Sequence, residues 1–73
     1  MKAKYYYAFL KYGDQLTSVI LHNHRITDNS FPVYSGMGFA SLWDAMAWGK
    51  QERERLETKE GFSVDDTNLI IRD

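Results

Sequence analysis

Seventy-three residues with nine basic and ten acidic side chains, a formal charge of −1 and no cysteine make a chain near the size where one hydrophobic core barely suffices. The near-neutral balance lacks the cationic excess that phosphate-backbone binders use and also the strong acidity of a nucleic-acid mimic. Without cysteine there is no disulfide framework and no cysteine-ligated zinc, and the chain suits a reducing cytoplasm. A hydrophobic fraction of 44% argues against intrinsic disorder. The expectation is one small globular, cytoplasmic domain over residues 1–73, with neither signal peptide nor membrane span, since no apolar stretch approaches the ~20 residues a spanning helix needs.

The segment Lys2 to His22 reads as a β-hairpin turning at Gly13-Asp14, where glycine supplies the positive φ that tight hairpin turns demand. That pivot sets Tyr12 opposite Gln15, Leu10 opposite Thr17, Ala8 opposite Val19 and Tyr6 opposite Leu21, which makes one apolar face. The alternate pairs, Phe9 with Ser18, Tyr7 with Ile20 and Tyr5 with His22, make a second and more aromatic face. Because residues 5 to 10 are consecutively apolar or aromatic, both faces are apolar in any register, and one helix cannot cover both.

From Asn23 to Ala40 polar turn formers alternate with isolated apolar residues around the single proline, Pro32. This stretch reads as a loop, in which Phe31, Val33 and Tyr34 are candidates for an edge strand, a position that tolerates proline. Gly36-Met37-Gly38 reads as loop as well. It loosely resembles a phosphate-cradling turn before a helix, but no Gly-Lys-Ser/Thr follows.

Ser41 before Leu42-Trp43-Asp44 is a serine N-cap with an acidic residue three positions on, and Gly61 is the matching stop. Between them Leu42, Ala45, Met46, Gly49 and Leu56 recur at helical spacing as one stripe, interrupted by Arg53. Trp43 and Trp48 fall on opposite borders of that stripe, each placed to pack partly inward. Residues 50 to 60 are almost wholly charged and read as a solvated face with an Arg53–Glu57 pair at i,i+4. Phe62 to Thr67 reads as an approach turn, and Asn68-Leu69-Ile70-Ile71-Arg72 as a short buried strand. The order is β-β-α-β: a two-layer α+β domain in which an antiparallel hairpin and a C-terminal strand pack against one helix.

Chemistry-bearing motifs are sparse. His22-Asn23-His24 puts two histidines on one side of a strand, yet a metal centre needs a third ligand and a water-activating base, and Asp28 is not tied to them by spacing. Asp65-Asp66 suits a turn. No nucleophile triad or paired-carboxylate site can be inferred, so the chain reads as non-enzymatic, with no cofactor and no metal. Lys2, Lys4 and Lys11 flank the strand aromatics in a way that would suit stacking of single-stranded bases. This supports nucleic-acid binding as the alternative reading.

The aromatic opening Tyr5-Tyr6-Tyr7-Ala8-Phe9-Leu10 turning at Gly13, the capped start Ser41-Leu42-Trp43-Asp44-Ala45 and the closing Leu69-Ile70-Ile71 together resemble a class of small phage and mobile-element proteins built as strand, strand, helix, strand. The long middle segment departs from the compact members of that class. The resemblance implies a binding mode in which, as for certain anti-CRISPR proteins, the protein inhibits by occupying a surface of a host complex, with no catalytic residues to carry over. The function expected is therefore that of a protein-binding module acting on a host protein or complex, or on a second copy of itself. Tyr5, Tyr7, Phe9 and Ile20 are candidates for a spare sheet face, and Trp43 and Trp48 are candidate aromatic anchors. If the helix covers the aromatic face instead, Tyr6, Leu10, Val19 and Leu21 inherit the role.

Overall fold

The structure, a computed structural model, describes residues 4–22 and 32–72. Its elements are β1 (Tyr5–Tyr12), β2 (Gln15–His22), β3 (Val33–Phe39), α1 (Leu42–Thr58) and β4 (Ser63–Arg72). They form a four-stranded mixed sheet in the order β3-β1-β2-β4 with the helix across one face, an α+β architecture of the expected two-layer kind with one strand more than the sequence suggested.

The hairpin forms in the expected register, from Tyr12 opposite Gln15 to Tyr5 opposite His22. Gly13 adopts φ 64° at the turn, a conformation that L side chains rarely take.

The middle of the chain departs from expectation. Gly36-Met37-Gly38, read from sequence as loop, lies within β3, which pairs antiparallel with β1 from Tyr5–Phe39 to Leu10–Val33. Val33 and Tyr34, candidates for an edge strand within a stretch otherwise read as loop, lie in this strand, and Phe31 lies outside the described residues. Glycine weakens a strand by leaving nothing to pack, and here a neighbour supplies the missing bulk. The Tyr6 ring lies across Gly36 so closely that a Cβ there would meet ring atoms at 2.6 to 3.1 Å. The register shifts between Phe9 and Leu10, so that Tyr34 is an extra residue on β3, and such bulges re-aim a side chain.

β4 also begins earlier than its aliphatic run. It pairs parallel with β2 from Gln15–Ser63 onward, and the register jumps so that Thr17 meets Asp65 while Ser18 meets Asn68. The segment expected to be an approach turn is thus strand interrupted by two inserted residues, Asp66 and Thr67.

The helix starts as its cap dictates, with the Asp44 amide donating to Ser41 Oγ at 3.2 Å. It ends where the Lys59 amide reaches the Arg55 carbonyl (2.8 Å) and the Phe62 amide reaches the Leu56 carbonyl (3.0 Å), across Gly61 at φ 75°. Ala45 and Leu56 are fully buried against Tyr7, Phe9, Leu16, Ile20 and Val64. Gly49 lets the helix come this close, since a Cβ at that position would lie 2.3 to 2.8 Å from atoms of the Tyr7 ring. No helix among the described residues is long and apolar enough to cross a membrane.

Candidate functional site

The helix lies on the aromatic face of the hairpin. Tyr7, Phe9 and Ile20, expected on a spare binding face, are instead 6%, 0% and 2% exposed beneath it, and half-buried Tyr5 packs at the edge of the same cluster. The physical reason is that the aromatic face offers the larger apolar area per residue, and burying it gains more than burying the face built on Ala8. The fallback face is not open either. Leu10, Val19 and Leu21 form a second buried cluster with Ala8, with Tyr6 and Val33 packed against it, so they supply core rather than free surface.

Among the described residues, one flank of the helix carries two exposed large apolar side chains, Trp43 and Met46. Ala45, Gly49 and Leu56 are the buried residues of α1; at ~100° per residue they centre the inward stripe such that Trp48 lies about 80° and Trp43 about 140° away. Trp48 is accordingly drawn into the core, its ring 5.8 Å from Tyr7, 6.1 Å from Phe9 and 5.7 Å from Phe39. Trp43 is 84% exposed. The two tryptophans are therefore not the symmetrical borders that the sequence pattern indicated. Counting Met46 in the stripe displaces its apparent centre, and Met46 is 47% exposed.

Trp43 stands beside a depression of about 430 Å³ between helix and sheet, within the size range of small-ligand and side-chain pockets. Among the described residues its floor is Tyr7 and Ile20, and its helical wall is Trp43, Met46, Ala47, Gly49, Lys50 and Arg53. Arg53 closes one end: its Nη2 donates to the Val64 carbonyl at 3.2 Å and its Nε lies 3.4 Å from Glu57, the ion pair expected from the i,i+4 spacing. The groove can receive an apolar side chain against Trp43 and Met46 while Lys50 meets a polar or anionic group at its rim. The sequence did carry a signal for it. Trp43, Met46, Ala47 and Lys50 stand at i, i+3, i+4 and i+7, a second stripe parallel to the core stripe.

The opposite flank is a polar clamp. The Tyr34 hydroxyl, turned by the bulge toward the end of the helix, donates to Glu60 Oε1. Arg55 spans Glu60 and Glu52, with Nε and Nη2 donating to the two oxygens of Glu52 at 2.7 and 2.9 Å, and the Ser35 hydroxyl donates to Glu52 Oε2. The Arg55 hydrogen bond is the main reason the Glu52 carboxyl titrates below its ordinary range. Glu60 is lowered chiefly by the Tyr34 hydroxyl, whose own pKa is raised by the same bond. The tyrosine ring packs edge-on against Phe62, ring centres 4.9 Å apart, and Lys11 Nζ sits 5.8 Å from both ring centres.

The remaining candidates are scattered. Lys4 lies over the Tyr5 ring at 5.8 Å, at the far end of β1 from Lys11, and Lys2 lies outside the described residues. Of the aromatics between the two lysines, Tyr5, Tyr7 and Phe9 pack in the cluster under the helix and Tyr6 packs on the opposite face, so no basic stacking stripe forms among the described residues. His22 stacks on Tyr5 at 4.9 Å, with its Nε2 buried and without a hydrogen-bond partner among the described residues, whereas Asn23, His24 and Asp28 lie outside them. Among those described, no group of three or more His, Cys, Asp or Glu could hold a metal ion. No protein-family model, curated protein or solved structure matches this chain.

Proposed function

We propose that this protein is a non-enzymatic protein-binding module that docks through the open flank of its helix, with Trp43 as the anchor and the groove beside it taking an apolar side chain of the partner. The observation that carries this reading is the exposure of Trp43 next to a preformed apolar depression. A tryptophan left in water costs solubility and adds nothing to the core, while buried at an interface it is among the side chains that dominate binding energy. Lys50 at the rim favours a partner surface with an acidic residue next to its apolar one. Inhibition of a host complex by occupying its surface, the mode implied by the resemblance to small phage proteins, is one use such a module would have. The basic residues of β1 offer no comparable support for nucleic-acid binding.

Photo-crosslinking in cells tests the reading. With a photoreactive phenylalanine analogue in place of Trp43, a discrete crosslinked protein is expected, and adding Met46→Glu should abolish it. The same analogue at Gln51, exposed about two turns further along the helix and absent from the groove lining, should give no such product. Equal crosslinking from both positions, or none from position 43, would sink the proposal.

A further inference from the structure

Among the described residues the sheet ends at β3 on one side and at β4 on the other, and these edges differ in how they are defended. Natural edge strands carry charges, prolines or bulges that discourage pairing with another chain. β4 carries Asp65, Asp66 and Arg72 along its length together with a two-residue bulge. β3, on the other edge, reads Val-Tyr-Ser-Gly-Met-Gly-Phe, seven residues without a proline or an acidic or basic side chain. Its bulge at Tyr34 lies near one end, leaving Ser35 to Phe39 in uninterrupted register with β1.

We propose that the outer edge of β3 pairs antiparallel with the same edge of a second copy, joining two sheets into one across a two-fold axis. The chemistry of the edge selects this occupant. Antiparallel pairing of a strand with itself is isologous, so every side chain meets its own neighbourhood in reverse. A charge near the axis of such a pairing would meet its own copy, and β3 carries none at any position, so no register sets like charges together. The net charge of −1 raises no long-range barrier between copies. The pairing would also cover an exposed side chain, since Met37 is 50% exposed and shares the helix-side face with Tyr7, its register partner. On the other face Gly36 and Gly38 present no side chain to obstruct the incoming strand. For a chain of this length, doubling the sheet is a common route to sufficient stability.

Sedimentation equilibrium from micromolar to millimolar concentration, run beside concentration-dependent amide hydrogen exchange, tests the proposal. A monomer–dimer equilibrium is expected, with exchange protection rising with concentration at residues 33–39. Met37→Lys should weaken dimerisation at least tenfold without altering the circular dichroism, whereas Trp43→Ala should leave it unchanged. A monomer at all concentrations would overturn the proposal, as would a dimer that Trp43→Ala dissolves or a concentration-dependent protection that spares β3. If Met37→Lys proves unfolded, the hydrogen-exchange pattern of the unaltered chain decides alone.

Discussion

One helix presents two flanks to the same sheet, and they have opposite character. Toward β3, Trp48 is locked among Tyr7, Phe9 and Phe39, and Glu52, Arg55 and Glu60 tie the helix to Ser35 and Tyr34. On the other flank Trp43, Met46 and Lys50 line the groove. The two tryptophans, five residues apart, differ in kind: Trp48 packs into the core and Trp43 is exposed. On the proposed function, stability and recognition are segregated across about half a helical circumference.

The comparison breaks first at the tryptophans. Trp48→Ala should lower the unfolding free energy by about 3 kcal/mol, the low end for a large aromatic truncation, while Trp43→Ala should fall within about 0.5 kcal/mol of the unaltered chain. Urea titration of both variants checks this, and equal losses would erase the distinction between the flanks. Next in size is Gly49→Ala. Its new methyl group would enter the space of the buried Tyr7 ring, and the overpacking should cost about 1–3 kcal/mol by the same titration. If stability were instead gained, as helix propensity alone dictates, the close approach of helix to sheet would not be the constraint argued above.

The smallest effect probes the clamp. Because the Glu52 carboxyl is lowered in the fold, the folded state binds its proton less readily than the unfolded chain does, so its ionised form stabilises the protein above the ordinary glutamate range near about 4.3. That contribution is lost as pH falls through the lower folded-state value. Glu52→Gln should therefore reduce Tm by roughly 2–5 °C at neutral pH, and the gap to the unaltered chain should close when melting is repeated near pH ~3. A gap that persists in acid would mean that the residue acts through packing and not through its charge.

The elements with local signals were legible from sequence. Gly13-Asp14 fixes the hairpin register because a tight turn leaves no freedom in which residues face each other, and Ser41 marks the helix start because its hydroxyl serves one amide. β3 was not legible, since its glycines argue locally for a loop. What holds them in a strand is nonlocal: pairing with β1 and the Tyr6 ring over Gly36. The clamp was hidden for a related reason. Glu52, Arg55 and Glu60 read as an ordinary solvated helix face until a bulge twenty residues earlier aims Tyr34 at them. Of the candidate site, Trp43 was named from sequence at a border of the core stripe, but as a residue packing partly inward, and it is 84% exposed. Which sheet face the helix would choose was not legible, because both faces are apolar, and that choice turned Tyr7, Phe9 and Ile20 from surface into core.

The parallel pairing of β2 with β4 sets the order in which this molecule can assemble. The hairpin joins segments separated by two residues, so its closure is fast and entropically cheap, whereas β2 and β4 meet across roughly fifty residues of intervening chain and must first overcome a much larger loop-closure entropy. Ile20, on the groove floor, sits on the strand that β4 flanks. Arg53, at one end of the groove, donates to the Val64 carbonyl of β4, so on the proposed function that end of the docking surface takes shape only once this slower contact has formed.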